Sequence, residues 1–241
     1  MDHAIPIIIA AYFCSIVSGL TGMGGGFLLL VLLSPLFPPA ILIPFHGSLQ
    51  LISNLSRLTL FFKHINWRIT LLFASGALIG ATAGSRVVID IPTNYFRLFL
   101  GIAILIMTWM PKLKNVPRIP GVFFYVGGVS TFLSLFIGAT GPLIAPFFLK
   151  AGLTKEGLVA SKAACQIPLH IFKILVYLST GFLLAPWLPI LAGAVPAMFL
   201  GIWTGKKLLG RVPEKRFYRL LQVVITLLAL RLLYYAATNG L

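Results

Sequence analysis

Acidic residues are scarce in this chain of 241 residues. It has 4 Asp and Glu against 19 Lys and Arg, which leaves a formal charge of +15 at pH 7. Asp2, Asp90, Glu156 and Glu214 all lie near the ends of apolar segments. Cation transporters and proton channels that depend on acidic side chains inside the membrane are therefore disfavoured.

Features that would indicate an enzyme or a nucleic-acid-binding protein are also missing. No glycine-rich P-loop is present, so ATP does not drive a process in this chain. Cys14 and Cys165 are isolated in apolar segments, which indicates packing and argues against a disulfide or a metal site. No nucleophile–base pair stands out, so we expect neither an enzyme nor a cofactor. Without a soluble basic domain, nucleic acid is not expected as a partner.

Long apolar sequence is what the chain has in abundance. Hydrophobic residues make up 59% of it and charged residues 10%, whereas soluble domains carry about 25% charged residues. Continuous apolar runs predict helices that cross a bilayer, because the strands of a membrane barrel would alternate. Six segments have a suitable length: 39–62, 69–89, 93–110, 157–180, 186–208 and 214–237. We predict an all-α, polytopic protein whose surroundings are a lipid bilayer.

Two further apolar stretches, 4–37 and 120–149, are interrupted in the middle. The first would form a helix about 50 Å long, at about 1.5 Å per residue, which is too long for one crossing. Glycine interrupts it at SGLTGMGGG, residues 18–26, and interrupts the second stretch at GATGP, residues 138–142. Each stretch is either a kinked single crossing or a re-entrant pair of half-helices that meet at the glycines.

The sequence contains an internal repeat. Matching positions lie 116 residues apart in the first part of each copy and 121 apart in the second. They are Ser18, Gly22 and Gly25 with Ser134, Gly138 and Gly141, and then Gly80, Gly84, Pro92 and Phe96 with Gly201, Gly205, Pro213 and Phe217. We predict two homologous halves within one membrane domain, an N-terminal repeat at 1–115 and a C-terminal repeat at 116–241.

The distribution of Lys and Arg favours the re-entrant alternative. With re-entrant hairpins, 14 of them lie on one side of the membrane and 3 on the other, whereas single crossings give 11 and 6. The basic side then holds the loops at 63–68, 111–118, 150–162 and 206–219. Basic loops mark the cytoplasmic side of an inner membrane. Each half then crosses three times and the halves are inverted repeats, as in many secondary transporters. A homo-oligomer is left open.

Polar residues recur on one face of two predicted helices. The first set is Gln50, Asn54 and Arg57, and the second, 116 residues later, is Gln166, His170 and Lys173. Spacings of four and three residues place each set on one helical face. Hydrogen-bond donors with fixed positive charge suit an oxyanion. The alternatives are that the amides only join helices, and that Arg57 and Lys173 extend to the membrane surfaces.

The glycine interruptions are the other candidate solute site. A half-helix that begins near Gly24, Gly25 and Gly26, or at Pro142, directs its first N–H groups and its positive dipole end to the membrane midplane. Gly138 and Gly141 are included in this site. The alternative is that these glycines only permit a kink or a close helix crossing. Helix packing is the role predicted for the small residues at 76, 80 and 84 and at 193, 197, 201 and 205.

Several segments resemble the TauE/SafE family of anion permeases, often called the sulfite exporter family. They are SGLTGMGGGFLLL at 18–30, the P-x-x-x-S-L-Q pattern at 44–50, HINWR at 64–68 and GATGPLIAP at 138–146. The resemblance implies a multi-pass inner-membrane protein that moves sulfite, sulfonates, thiosulfate or other small anions. GATGP departs from the second glycine-rich string that members often show, so the two interruptions need not bind solute equally.

These observations together predict a secondary transporter of a small, sulfur-containing oxyanion. The solute is expected between the two interruptions and the polar faces of 40–62 and 157–180, with alternating access by movement of one half against the other. Two modes of coupling are open: proton symport through His170, and passage driven by the anion's own gradient and the membrane potential. The alternatives are an anion channel and a membrane protein with an assembly or sensory role.

Overall fold

The computed structural model describes residues 3–21, 24–87, 92–109, 120–208 and 214–238. Within these ranges the chain forms ten α-helices and two short 3-10 helices, and no described residue lies in a β-strand. The α-helices are α1 (Ala4–Thr21), α2 (Gly25–Leu33), α3 (Pro39–Phe61), α4 (Trp67–Ser85), α5 (Thr93–Trp109), α6 (Val122–Ile137), α7 (Gly141–Leu149), α8 (Lys155–Ser179), α9 (Leu188–Leu208) and α10 (Glu214–Thr238). The 3-10 helices are Phe62–His64 and Ala185–Trp187. The all-α prediction is confirmed.

Each of the six uninterrupted segments forms one helix close to its predicted bounds. Polar caps set the start of two of them: Asn66 accepts a hydrogen bond of 3.1 Å from the Ile69 N–H, and Thr154 accepts one of 3.0 Å from the Gly157 N–H. These caps satisfy N–H groups that have no acceptor inside the helix. Residues 88, 89 and 110 of the predicted segments lie outside the described residues.

Several described helices have the dimensions and composition of membrane spans. Helices within Trp67–Ser85, Lys155–Ser179, Ala185–Leu208 and Arg219–Thr238 are long and apolar enough to cross a bilayer. Shorter apolar helices cover Ala4–Leu20, Thr93–Trp109 and Val122–Ile137. The chain therefore has the helices that a multi-pass membrane protein requires.

The two long apolar stretches are each broken into a longer and a shorter helix. The first break separates α1 from α2 at Gly24, where φ is 91°, and the second separates α6 from α7 at Gly138, where φ is 82°. Only glycine adopts such angles without strain, so the breaks lie where the glycine-rich sequence predicted them. Gly22 belongs to the first interruption and lies outside the described residues.

At both breaks, the start of the short helix lies close to residues of the helix that precedes it. Thr140 donates a hydrogen bond of 3.3 Å to the carbonyl oxygen of Ser130, although a continuous helix would separate two residues at this spacing by about 15 Å. At the first break, Gly25 lies so close to Cys14 and Ser18 that a Cβ atom there would overlap the Cys14 carbonyl oxygen. Each short helix therefore begins beside the helix that precedes it.

Glycines allow α4 to pack closely along α6. A Cβ atom at Gly76 would overlap the carbonyl oxygen of Phe124, and one at Gly80 would overlap that of Gly128. Helices approach this closely only where side chains are absent from the contact. The packing role predicted for the small residues of this segment is confirmed.

A matching contact joins α1 to α9. A Cβ atom at Gly201 would overlap the carbonyl oxygen of Tyr12, and one at Gly205 would overlap that of Ile16. Gly201 and Gly205 correspond to Gly80 and Gly84 in the sequence repeat. The fourth helix of each predicted half thus packs against the first helix of the other half.

Corresponding helices of the two predicted halves begin at constant spacings. α2 and α7 begin 116 residues apart, as do α3 and α8, whereas α4 and α9, and α5 and α10, begin 121 residues apart. α3 packs against α8, and α5 packs against α10. The junction predicted at residues 115 and 116 lies outside the described residues, so the division into two halves stays a prediction.

Candidate functional site

The polar faces of α3 and α8 lie against each other, and the two helices run in opposite directions. The side chain of Lys173, near the end of α8, lies 3.3 Å from the position that a Cβ at Gly47, near the start of α3, would occupy. At the other end of the pair, Arg57 and Lys162 are close enough for their charges to interact. The residues predicted to face a shared interior therefore do so.

A small cavity lies between these faces and the two breaks. Its volume is about 30 Å³, enough for one or two water molecules. Its lining residues are Ser18, Gly24, Gly26, Phe27, His46, Gln50, Arg57, Ala139, Thr140, Gly141, Pro142, Lys162, Gln166, Leu169 and His170. Four separate elements of the chain, the two breaks and the two long helices, thus meet at one point.

The cavity is electropositive. Arg57 and Lys162 are 2% and 1% exposed, and they enter it from α3 and α8. Glu156 is the only acidic residue whose side chain the structure describes, and it does not line the cavity. The first N–H groups of α2 and α7 add the positive ends of two helix dipoles. Such a site favours a negatively charged guest.

Neighbouring side chains orient the site. The Arg57 guanidinium donates a hydrogen bond to the Asn54 side-chain oxygen one turn earlier on α3. On the same helix, His46 Nε2 lies 2.8 Å from the carbonyl oxygen of Gly26 at the first break. The Lys173 ammonium donates a hydrogen bond of 2.5 Å to the carbonyl oxygen of Gly138 at the second break. Each long helix is thereby fastened to one of the breaks.

A second, larger cavity of about 550 Å³ lies beside the start of α3 and the end of α8. Ile43, Leu135 and Tyr177 are part of its wall, which is mainly apolar and includes Trp187. The Tyr177 hydroxyl donates a hydrogen bond of 2.7 Å to the carbonyl oxygen of Leu135, one turn before the second break. This larger cavity therefore approaches the small cavity from one end of the α3–α8 pair.

The opposite end of the α3–α8 pair is closed. Phe61, Val159 and Ala160 form a buried apolar cluster there. The Asn66 N–H donates a hydrogen bond of 2.8 Å to Ser161 Oγ and so joins the start of α4 to α8. The two ends of the site therefore differ: one borders a large cavity and the other is packed.

Comparison with known proteins assigns the family. A family model described as sulfite exporter TauE/SafE matches residues 7–232. The chain belongs to the TauE/SafE family. Comparison with curated proteins and with solved structures gave no match. The family resemblance expected from the glycine-rich segments is confirmed, and membership makes the chain a multi-pass membrane protein of the sulfite-exporter type.

Seven of the eleven residues predicted to bind solute line the small cavity of this TauE/SafE protein. They are Gly24, Gly26, Gln50, Arg57, Gly141, Gln166 and His170. Arg57 and Lys173 are both buried inside the protein, so neither extends to a membrane surface. That alternative is excluded for both side chains.

The other four predicted residues have protein partners. Gly25 packs against α1, and Asn54 accepts the hydrogen bond from Arg57. Gly138 forms the second break and accepts the hydrogen bond from Lys173. None of these four residues lines the small cavity, and their direct contact with solute stays a prediction.

Two polar residues that line the cavity were not among the residues predicted to bind solute. Lys162 was counted with the basic loop at 150–162, although the predicted segment 157–180 also contains it. α8 begins at Lys155, so Lys162 lies inside the helix. His46 lies four residues before Gln50, as Lys162 lies four before Gln166, and both line the cavity. Extending each polar stripe by one helical turn would have found them.

Proposed function

We propose that the protein is a secondary transporter that moves a small oxyanion by alternating access around a positively charged site at the membrane midplane. The cavity where both breaks meet both polar helices carries the proposal, because Arg57 and Lys162 enter it from different halves of the chain. Sulfur oxyanions such as sulfite, sulfonates and thiosulfate fit such a site by charge and by hydrogen-bond acceptors. Family membership supports this class of solute.

The directions of the helices support an inverted arrangement of the two halves in the inner membrane. α3 and α8 are equivalent in the repeat and run antiparallel, as Gly47 beside Lys173 and Arg57 beside Lys162 require. A two-fold axis that relates antiparallel helices is perpendicular to them, and so lies in the plane of the membrane that they cross. The close contacts across the breaks support re-entrant hairpins. Both are features of secondary transporters.

The difference between the two ends of the site supports alternating access. Ile43 and Tyr177 line the large cavity, and the residues equivalent to them in the repeat are Val159 and Phe61. Val159 and Phe61 belong to the packed cluster at the opposite end. If the two halves exchanged conformations, the packed end would open and the large cavity would close. We propose that this exchange carries the solute across.

Cysteine labelling tests this exchange with a matched pair. Ile43 and Val159 are 2% and 3% exposed and occupy equivalent positions. In a background with Cys14→Ala and Cys165→Ala, we expect a membrane-impermeant maleimide to modify Ile43→Cys from the large-cavity side. Val159→Cys should react from the basic side, and faster when a transported anion is present. Equal labelling of Val159→Cys and Ile43→Cys from one side would contradict alternating access.

Flux through reconstituted liposomes tests the function itself. We expect saturable uptake of at least one anion from a panel of sulfite, thiosulfate, methanesulfonate and acetate. Preloading with the same unlabelled anion should accelerate uptake, because a carrier returns faster when it is loaded. An anion channel would show neither saturation nor this counterflow. Absence of flux for every anion of the panel would contradict the proposal.

A further inference from the structure

Lys162 stands out among the buried residues because nothing in the fold accounts for its charge. It is 1% exposed, and its Nζ has no hydrogen-bond partner among the described residues. By contrast, the equally buried Lys173 donates to a backbone carbonyl at the second break. A buried charge without a partner lowers the stability of the folded protein. Residues of this kind persist where they have a function.

The surroundings of Lys162 favour an anion. Gly141 begins the nine-residue helix α7. Its two chain neighbours, Thr140 and Pro142, line the same cavity as Lys162. Gln166 lies one turn further along α8 and lines it too. The positive end of α7 and the side chain of Lys162 therefore converge on one space.

Arg57 adds a second positive charge at the same cavity, from the other half of the chain. The charges of Arg57 and Lys162 repel each other, and no described carboxylate lies between them. A solute with one negative charge offsets only one of the two cations. A solute with two negative charges offsets both and contacts both halves at once.

We propose that Lys162 is an anion-binding residue and that, together with Arg57, it makes the site selective for a compact dianion. The proposal rests on the proposed function and narrows its solute class. The dianion connects α3 to α8 across the cavity, so its binding couples the two halves that must move. A monoanion of similar size binds the same space more weakly because one cation stays without a counter-charge.

Purified protein in detergent allows a test with two defined probes, thiosulfate as a dianion and methanesulfonate as a monoanion. For the wild type we expect a larger rise in melting temperature with thiosulfate, since a ligand that binds only the folded state stabilises it. Lys162→Gln should weaken thiosulfate binding by about 30-fold or more and bring it close to that of methanesulfonate. Lys162→Met, in which the side chain carries no N–H group, should weaken thiosulfate binding to the same extent.

The melting temperature of the empty variants separates binding from a structural role. If Lys162 only binds the anion, empty Lys162→Gln and Lys162→Met should melt at or above the wild-type temperature, because an unpaired buried charge has been removed. Lower melting of both would overturn the proposal, as would unchanged thiosulfate preference. Lys63→Gln, at an exposed lysine, is the matched control and should match the wild type.

The outcomes also separate this proposal from the proposed function. If the wild type transports an oxyanion and Lys162→Gln binds that anion with the same affinity, only the role of Lys162 is contradicted. A wild type that binds and transports neither probe, nor any anion of the flux panel, contradicts both.

Discussion

Replacing Arg57 by glutamine is expected to reduce oxyanion transport by about 100-fold or more, while the protein still inserts into the membrane. Arg57 is 2% exposed, lines the small cavity and supplies the positive charge that α3 contributes to it. Losing one partner of a buried ion pair typically costs about 2–5 kcal/mol, which corresponds to this loss of affinity. The initial rate of uptake into liposomes measures it.

Two variants make this result specific. Arg68→Gln removes an exposed arginine on α4 and should leave the rate unchanged. Arg57→Lys keeps the charge but loses the planar fork that binds oxyanions with two parallel hydrogen bonds, so an intermediate rate is expected. A normal rate in Arg57→Gln would show that the solute does not pass this side chain.

Replacing Gly76 by valine is expected to prevent the protein from folding. A Cβ atom at this position overlaps the carbonyl oxygen of Phe124, which is backbone and cannot move by a change of rotamer. α4 and α6 would have to separate along their length, with a loss of stability of about 3 kcal/mol or more. Size-exclusion chromatography of the extracted protein and its melting temperature measure the effect.

Ala83 provides the control for this substitution. It lies on the same helix, seven residues after Gly76, and its side chain is exposed. Ala83→Val adds two methyl groups at an exposed position of α4, and the protein should fold and transport normally. A folded and stable Gly76→Val protein would show that α4 and α6 do not pack as closely as the structure has them.

Much of the fold was predictable because hydropathy and glycine act locally. The apolar length of a segment such as 93–110 determines that it forms one helix, and the glycines at 24 and 138 determine where the long stretches break. The geometry of each break was not predictable, since a kink and a hairpin require the same residues. Contacts between distant positions, such as Thr140 with Ser130, carry information that the local sequence lacks.

The site was predictable to the extent that helical periodicity places residues on one face. Gln50, Arg57 and Gln166 were assigned to a shared interior by their spacing and lie there. Lys162 was missed because a lysine near a segment end resembles a topology signal, although the predicted segment 157–180 already contained it. Spacing could not show that Asn54 accepts a hydrogen bond from Arg57 on its own helix, and its contact with solute stays a prediction.

The packing of α1 and α4 against helices of the other predicted half has a consequence for how the protein is made. The ribosome completes α1 long before its partner α9 exists, and α4 before its partner α6. Until then, the glycines of α4 and the surface of α1 that packs against Gly201 and Gly205 have no partner helix. Final assembly must wait until almost the whole chain has left the ribosome. Truncated chains that lack α9 leave this surface of α1 uncovered and should be recognised by membrane proteases.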